Sequence, residues 1–253
     1  MKFISCIFTA NILEMSKNAI IFGATSGIGK ELAKILVAND YQVLITGRRL
    51  EKLKEIKATN PSSYSIKQHD ITNIKSSNLF FDELPSIFDK VDLIILSSGV
   101  GDANYKLDWE VDLPTLNTNV MGTTKLMQLA YSYFNKQGYG HLVGITSIAS
   151  IRGNRHVPAY FASKAFQSSY LESLWMKAQR SKKDIFVTNI LPGYVDTVMA
   201  KGSTFWKAPL DKACKQIFRA IQKKKKKAYI TRRWRLVAIF LKIVPASVVN
   251  KYF

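Results

Sequence analysis

The sequence predicts a single α/β domain, a doubly wound parallel sheet covered by helices on both faces. Three observations predict it. Short, nearly continuous apolar runs alternate with longer amphipathic ones, the pattern of repeated βα units whose strands are buried on both sides. A glycine-rich turn directly follows the first apolar run and opens the first amphipathic one. The 253 residues, 47% hydrophobic and 22% charged, suffice for one large core and exclude disordered, collagen-like and low-complexity classes. No internal repeat or linker divides the chain.

Residues 1–15 read as an extension that this fold does not need. Lys2 and the apolar residues from Phe3 to Phe8 faintly resemble a signal peptide, but the run is short and no small-residue cleavage site follows. The expectation is that Met15 is the start or that the extension is a loose tail. Residues 19–22 then predict a buried strand, 27–39 a helix, 42–46 a strand and 49–58 a helix. Residues 64–69 alternate as a strand, a helix follows near 75–88, and 91–96 form a fourth strand. Long helices over roughly 110–136 and 159–180 precede strands at 142–146 and 185–191. In such a sheet the ligand sits beyond the carboxyl ends of the strands, where strand order reverses.

Charge is unevenly placed. The formal net charge is +19, yet residues 201–253 hold 15 basic residues against one acid, Asp211. A near-neutral body with a basic C-terminal fifth predicts a docking segment for something anionic. The run Lys223 to Lys227 leads to Arg232, Arg233, Trp234 and Arg235, and a 14-residue apolar stretch from Leu236 to Val249 follows, broken by Lys242 and Pro245. A spanning helix needs about 20 apolar residues, so this one is too short to cross a bilayer. Basic flanks, a boundary tryptophan and an apolar body favour a helix lying in an anionic membrane interface through residues 223–253. The alternative is a helix packed on the core or on a partner subunit. Nucleic acid is not expected, because aromatics are not interleaved with the basic run. Two cysteines (Cys6, Cys214) and three scattered histidines (His69, His141, His156) give no disulfide framework and no metal-ligand spacing. They suit a reducing, cytoplasmic compartment, with the membrane contact peripheral.

The turn after the first strand reads Gly23-Ala24-Thr25-Ser26-Gly27-Ile28-Gly29. Glycines there allow a tight turn, a close approach to a pyrophosphate and close helix–sheet packing, while the helix N-terminus attracts the anion. Gly23, Thr25, Ser26, Gly27, Ile28 and Gly29 are therefore predicted dinucleotide contacts. The second strand ends Thr46-Gly47-Arg48-Arg49, without the acid that would accept a ribose 2′-hydroxyl. Arg48, with Arg49, predicts a 2′-phosphate contact and hence NADP(H) over NAD(H).

Strand five runs into Ser147, and Tyr160 and Lys164 stand i and i+4 on one helix face. Reducing a carbonyl requires a hydride on carbon and a proton on oxygen. A phenol is a poor base at neutral pH, and the expectation is that the Lys164 ammonium lowers its pKa. Tyr160 then serves as acid in reduction and base in oxidation. Ser147 is expected to stabilise charge developing on the substrate oxygen.

With the glycine turn, Ser147, Tyr160-Phe161-Ala162-Ser163-Lys164 and Asn119 all in register, residues 16–230 resemble the NAD(P)-dependent short-chain dehydrogenase/reductase family, whose fold is Rossmann-type. The resemblance implies that Lys164 also holds the nicotinamide ribose and that Asn119 supports a proton relay through water. It places Asp70 and Ile71 at the adenine, Ser98 and Gly99 beside the cofactor, and Pro192, Gly193, Val195 and Thr197 at the nicotinamide. The family's usual Asn-Asn-Ala-Gly stretch is replaced by Ser97-Ser98-Gly99-Val100-Gly101. Val198, Met199, Phe205 and Trp206 fall in the family's mobile substrate lid, and their apolarity predicts an apolar substrate, although a core or dimer role fits them as well. Arg152, Asn154 and Arg155 are either contacts for an anionic group or solvated. The chain is thus expected to be an oxidoreductase of the EC 1.1.1 type and a homodimer or homotetramer, with residues 231–253 as a basic amphipathic C-terminal segment. The competing reading is a catalytically idle dinucleotide-binding scaffold or sensor docked through its basic tail.

Overall fold

The computed structural model describes residues 17–200, 206–245, 247 and 248. The extension at 1–15 and Phe205, expected in a substrate lid, lie outside them. Seven parallel strands form one sheet: β1 Lys17–Phe22, β2 Tyr41–Gly47, β3 Tyr64–Gln68, β4 Leu93–Leu96, β5 Tyr139–Ile145, β6 Asp184–Pro192 and β7 Lys227–Ile230. Their order is β3-β2-β1-β4-β5-β6-β7, so the winding reverses between β1 and β4. A ligand crevice belongs at the carboxyl ends of those two strands.

The apolar runs become strands because both of their faces are covered. The β1 segment is wholly buried from Ala19 to Phe22, with alternate residues entering two separate cores. Helices α1 (Gly27–Val37), α2 (Leu50–Thr59) and α7 (Leu210–Gln222) cover the face that carries Ile21, Ile45 and Ile95. Helices α3 (Ile74–Asp82), α5 (Thr123–Gln137) and α6 (Pro158–Gln179) cover the face that carries Ile20, Phe22 and Ile94.

Three predicted elements are corrected. The helix expected near 75–88 stops at Asp82, and a 3-10 turn at Leu84–Ser86 follows, with Pro85 in its first turn. The helix expected over 110–136 is three pieces: α4 (Trp109–Thr115), a π-helical stretch Leu116–Gly122, and α5. Pro114 lies inside α4 and lacks the N–H that would continue its ladder, and the wider π turn follows directly. The lysine run is exposed, but it is not a mere flank of the C-terminal helix. It closes α7 and enters β7, an edge strand paired to β6 from Asn189–Lys227 to Pro192–Ile230. The turn between α7 and β7, with Lys224 at positive φ, splits the lysines between two sides. Lys224 and Lys226 turn toward α6 and β6, onto the Phe186 and Trp175 rings and the acids Asp184 and Glu172.

The last described helix, α8 (Trp234–Ile243), is held against the body. Trp234 is buried and stands edge-on to Tyr194 and Trp206, so it is a packing residue rather than the membrane-boundary tryptophan expected. Glycine is required where the two meet: a Cβ on Gly193 would stand 2.1 Å from the Trp234 ring. Arg152 donates to the carbonyls of Leu241 and Val244, which decides its role against both a ligand contact and a solvated charge. The opposite side of α8 exposes Leu236, Ile239, Phe240 and Ile243. None of the described helices is long and apolar enough to cross a membrane.

Candidate active site

A cleft of about 570 Å³ opens at the carboxyl ends of β1 and β4. Every residue predicted to contact a dinucleotide from the glycine turn lines it except Gly29, which acts from behind. Gly23 and Gly27 both have positive φ, and the turn they shape starts α1 with its N-terminus facing the cleft. A Cβ on Gly29 would sit 2.2 Å from the Gly23 carbonyl, so only glycine lets α1 press against the turn. The unpaired N–H groups of that helix end make an anion seat.

Arg49, rather than Arg48, is the arginine already aimed at this seat. Its guanidinium donates to Thr25 Oγ1 at 2.6 Å and to Ser26 Oγ at 3.0 Å. Ser26 is the N-cap residue of α1, but its hydroxyl serves Arg49 instead of capping. Arg48 lines the same cleft, and its carbonyl accepts from Gln68. Asp70 forms a local turn by accepting from the Thr72 amide and hydroxyl. Ile71 is buried beside it at the cleft wall.

Ser147, Tyr160 and Lys164 meet at the other end of the cleft. Ser147 ends the segment after β5, accepts from the Ala149 amide, and hydrogen-bonds the Tyr160 phenol. Burial pushes the Tyr160 phenol above its ordinary pKa, with the Ser147 hydrogen bond opposing. The predicted lowering by Lys164 is therefore corrected for the chain without its dinucleotide. The reason is geometric. Lys164 Nζ lies 5.8 Å from the Tyr160 ring centre and donates to the Ile145 carbonyl at 3.2 Å and to Gln167 Oε1 at 3.0 Å. Enclosure lowers the Lys164 ammonium to about 8.

Asn119 sits in the π-helical stretch and is fully buried. Its side chain accepts from Val100 N at 2.9 Å and donates to Val100 O at 2.7 Å and to Ser163 Oγ at 3.0 Å. It thus clamps the strand-four loop, with both of its amide hydrogens engaged. Its carbonyl accepts from Gln167 Nε2 at 2.8 Å. Gln167 therefore bridges Lys164 and Asn119. A lone glutamine three residues after Lys164 gave no motif to find it by; the one signal is its helical face, shared with Tyr160 and Lys164.

Pro192, Gly193, Val195 and Thr197 line the same cleft, together with Tyr194, Val198 and Met199. Val198 and Met199 are exposed, at 81% and 53%. Asn154 accepts from the amides of His156 and Val157 ahead of α6, a structural task.

A family model described as short chain dehydrogenase matches residues 17–208. An uncharacterized oxidoreductase of Myxococcus xanthus is 30% identical over 198 residues, 76% of this chain and 78% of that protein. A dehydrogenase/reductase SDR family member 7B of Xenopus laevis is 27% identical over 252 residues, 88% of this chain and 76% of that protein. Among solved structures, a short chain dehydrogenase/reductase of Burkholderia phymatum in complex with NAD superposes with TM-score 0.82 at 17% identity, covering 88% of this chain and 92% of that one. The NADP-bound structure of ElxO superposes with TM-score 0.76 at 23% identity, covering 85% and 96%. Sheet order, glycine turn and family match agree, and the chain belongs to the short chain dehydrogenase family of oxidoreductases.

Proposed function

We propose that the protein is an NADP(H)-dependent oxidoreductase of the EC 1.1.1 type that reduces the carbonyl of an apolar substrate. The observation that carries this reading is the convergence of Ser147, Tyr160 and Lys164 on one cleft whose far end holds the glycine turn and Arg49. The residues fit a dinucleotide: Gly27 and the α1 N-terminus would face the pyrophosphate, Arg49 and Arg48 the 2′-phosphate, Asp70 and Ile71 the adenine. Ser98, Gly99, Pro192, Gly193, Val195 and Thr197 would line the nicotinamide side. When bound, the dinucleotide supplies the hydride.

The protein's own residues handle the proton. Ser147 holds the substrate oxygen and stabilises the negative charge that gathers on it. Tyr160, neutral because burial raises its pKa, donates its proton to that oxygen, which suits the reducing direction. Lys164 sets the potential around the phenol and holds the ribose. Asn119 keeps the strand-four loop in place, and Gln167 aims the Lys164 ammonium. Purified protein should oxidise NADPH with long-chain aldehydes or ketones and improve with chain length. No turnover on any aldehyde or ketone of a broad panel, with NADPH still bound, overturns the reading in favour of an idle dinucleotide sensor.

Two variants test parts of it. Arg49→Ala should raise KM for NADPH about tenfold, with NADH little changed, since a charge-assisted bidentate contact is removed. Arg48→Ala should have a smaller effect, and an unchanged NADPH/NADH preference in Arg49→Ala would refute the assignment. Gln167→Leu removes an acceptor that favours the charged form of Lys164, so the lysine pKa should fall below its value of about 8. The alkaline limb of kcat/KM should move to lower pH; a limb that stays in place would make Gln167 merely a packing residue.

The basic tail is read in the same way. Residues 16–230 act as the catalytic domain of a cytoplasmic protein, and residues 223–253 dock peripherally on an anionic membrane. The exposed apolar side of α8 and the excess basic charge around it support this. Homodimer or homotetramer assembly is supported by exposed Phe166 and Met176 on α6.

A further inference from the structure

A second cleft, of about 670 Å³, lies away from the active site, between α7, β7 and the start of α8. Six of its lining residues are basic: Arg219, Lys223, Lys225, Lys227, Arg232 and Arg235. None of the residues lining it is acidic, and among the described residues none of the six has an acidic partner within ion-pair distance. This is the other half of the lysine sorting, since Lys224 and Lys226 face away and are paired. Gln216 also lines the cleft, and its Oε1 is buried without a hydrogen-bond partner. Turned about its last torsion, that amide offers N–H donors instead.

Arg235 belongs both to this cleft and to α8. On the helix, Arg235 and Lys242 lie about a quarter turn from the centre of the exposed stripe Leu236, Ile239, Phe240 and Ile243. An apolar stripe edged by cations, beside a cavity walled by cations, matches one occupant: the boundary of a bilayer, with acyl chains against the stripe and a headgroup in the cleft. We propose that the α7–β7–α8 cleft is a binding site for the phosphate of an anionic membrane lipid, seated while the α8 stripe enters the acyl region. The proposal rests on the reading of residues 223–253 as a membrane-docking segment and adds a headgroup site to it. Crowding supports it. Partial burial, with Lys242 and Lys226 nearby, holds the Lys227 ammonium below the usual lysine range, against the pull of Glu172, and a bound phosphate relieves that repulsion.

The test uses the full chain and phosphatidylcholine vesicles doped with phosphatidic acid or with phosphatidylserine, matched in zeta potential. Cosedimentation should show about a tenfold preference for the exposed phosphomonoester. In Arg219→Gln/Lys225→Gln that preference should fall to about one, while thermal stability and NADPH turnover stay at the wild-type level. In Ile239→Ser/Phe240→Ser, binding to both kinds of vesicle should be lost. Free inorganic phosphate or glycerol phosphate at millimolar concentration should compete only weakly; full competition would make the cleft a soluble-phosphate site and overturn the lipid assignment. Equal binding to the two vesicles, equally weakened by the double variant, overturns the headgroup site and leaves membrane docking standing. No vesicle binding, with capture of an oligonucleotide or concentration-dependent self-association lost in Ile239→Ser/Phe240→Ser, overturns both.

Discussion

Tyr160→Phe is expected to lower kcat for carbonyl reduction by about 10³-fold, near the middle of the range for loss of a positioned general acid. The reason to expect so selective an effect is packing. The Tyr160 ring lies against Gly101, where a Cβ would stand 2.4 Å from Cδ2, so phenylalanine keeps the ring in place and removes only the hydroxyl. Dinucleotide affinity, measured by fluorescence titration, should change by less than about twofold, since an undisturbed site loses none of its binding contacts. Because burial raises the phenol above its ordinary 10.0, the wild-type group stays protonated through the neutral range. Reduction should therefore be level there, while the reverse oxidation, which needs the phenolate, should climb with pH. Retained turnover in Tyr160→Phe would remove Tyr160 from the chemistry.

Lys164→Met separates catalysis from stability. Turnover should drop by about 10²-fold or more, because the cation 5.8 Å from the phenol ring centre is gone. Stability should respond to pH with a definite sign. Lys164 is 4% exposed, and its pKa falls from 10.5 unfolded to about 8 folded. Below pH 8 the ammonium is charged in both states and the folded state carries the full cost of enclosing it, about 3 kcal/mol at 1.36 kcal/mol per unit. As pH rises from 8 to 10.5 the folded chain releases the proton first and that cost disappears. The wild type should thus gain stability relative to Lys164→Met across this window, read as a change in the difference between their denaturation midpoints. A difference independent of pH would mean that Lys164 is not enclosed.

The contrast between Lys164 and its neighbour Gln167 shows what the sequence carried. Tyr160 and Lys164 were legible because their spacing, with Ser147 before them, has a chemical reason of its own. Gln167 has none until the fold brings Asn119 within reach from 48 residues away. The glycine turn was legible for the same reason as the pair, since strand, turn and helix are consecutive in the chain. Which arginine serves the turn was not, because Arg48 and Arg49 differ by one residue and only the path of the chain into α2 aims Arg49 at Thr25. The largest misreading was at the C-terminal end. Strand β7 is four residues long and begins at the last of five consecutive lysines, so the charge run masked its pairing with β6. Trp234 was misplaced because burial against Gly193 depends on a contact across 41 positions that no local pattern encodes.

Arg152 gives that end a further significance. The residue stands five positions after Ser147, and its guanidinium holds the carbonyls of Leu241 and Val244 at the end of α8. Any surface that draws α8 outward must break those bonds or carry the Ser147 loop with it. The two ends of the molecule then share one free energy, and linkage makes that sharing symmetrical. A bilayer that tightens dinucleotide binding by about threefold must itself be gripped about threefold more firmly by the dinucleotide-loaded protein. Occupancy of the dinucleotide cleft and the position of α8 would then each report on the other.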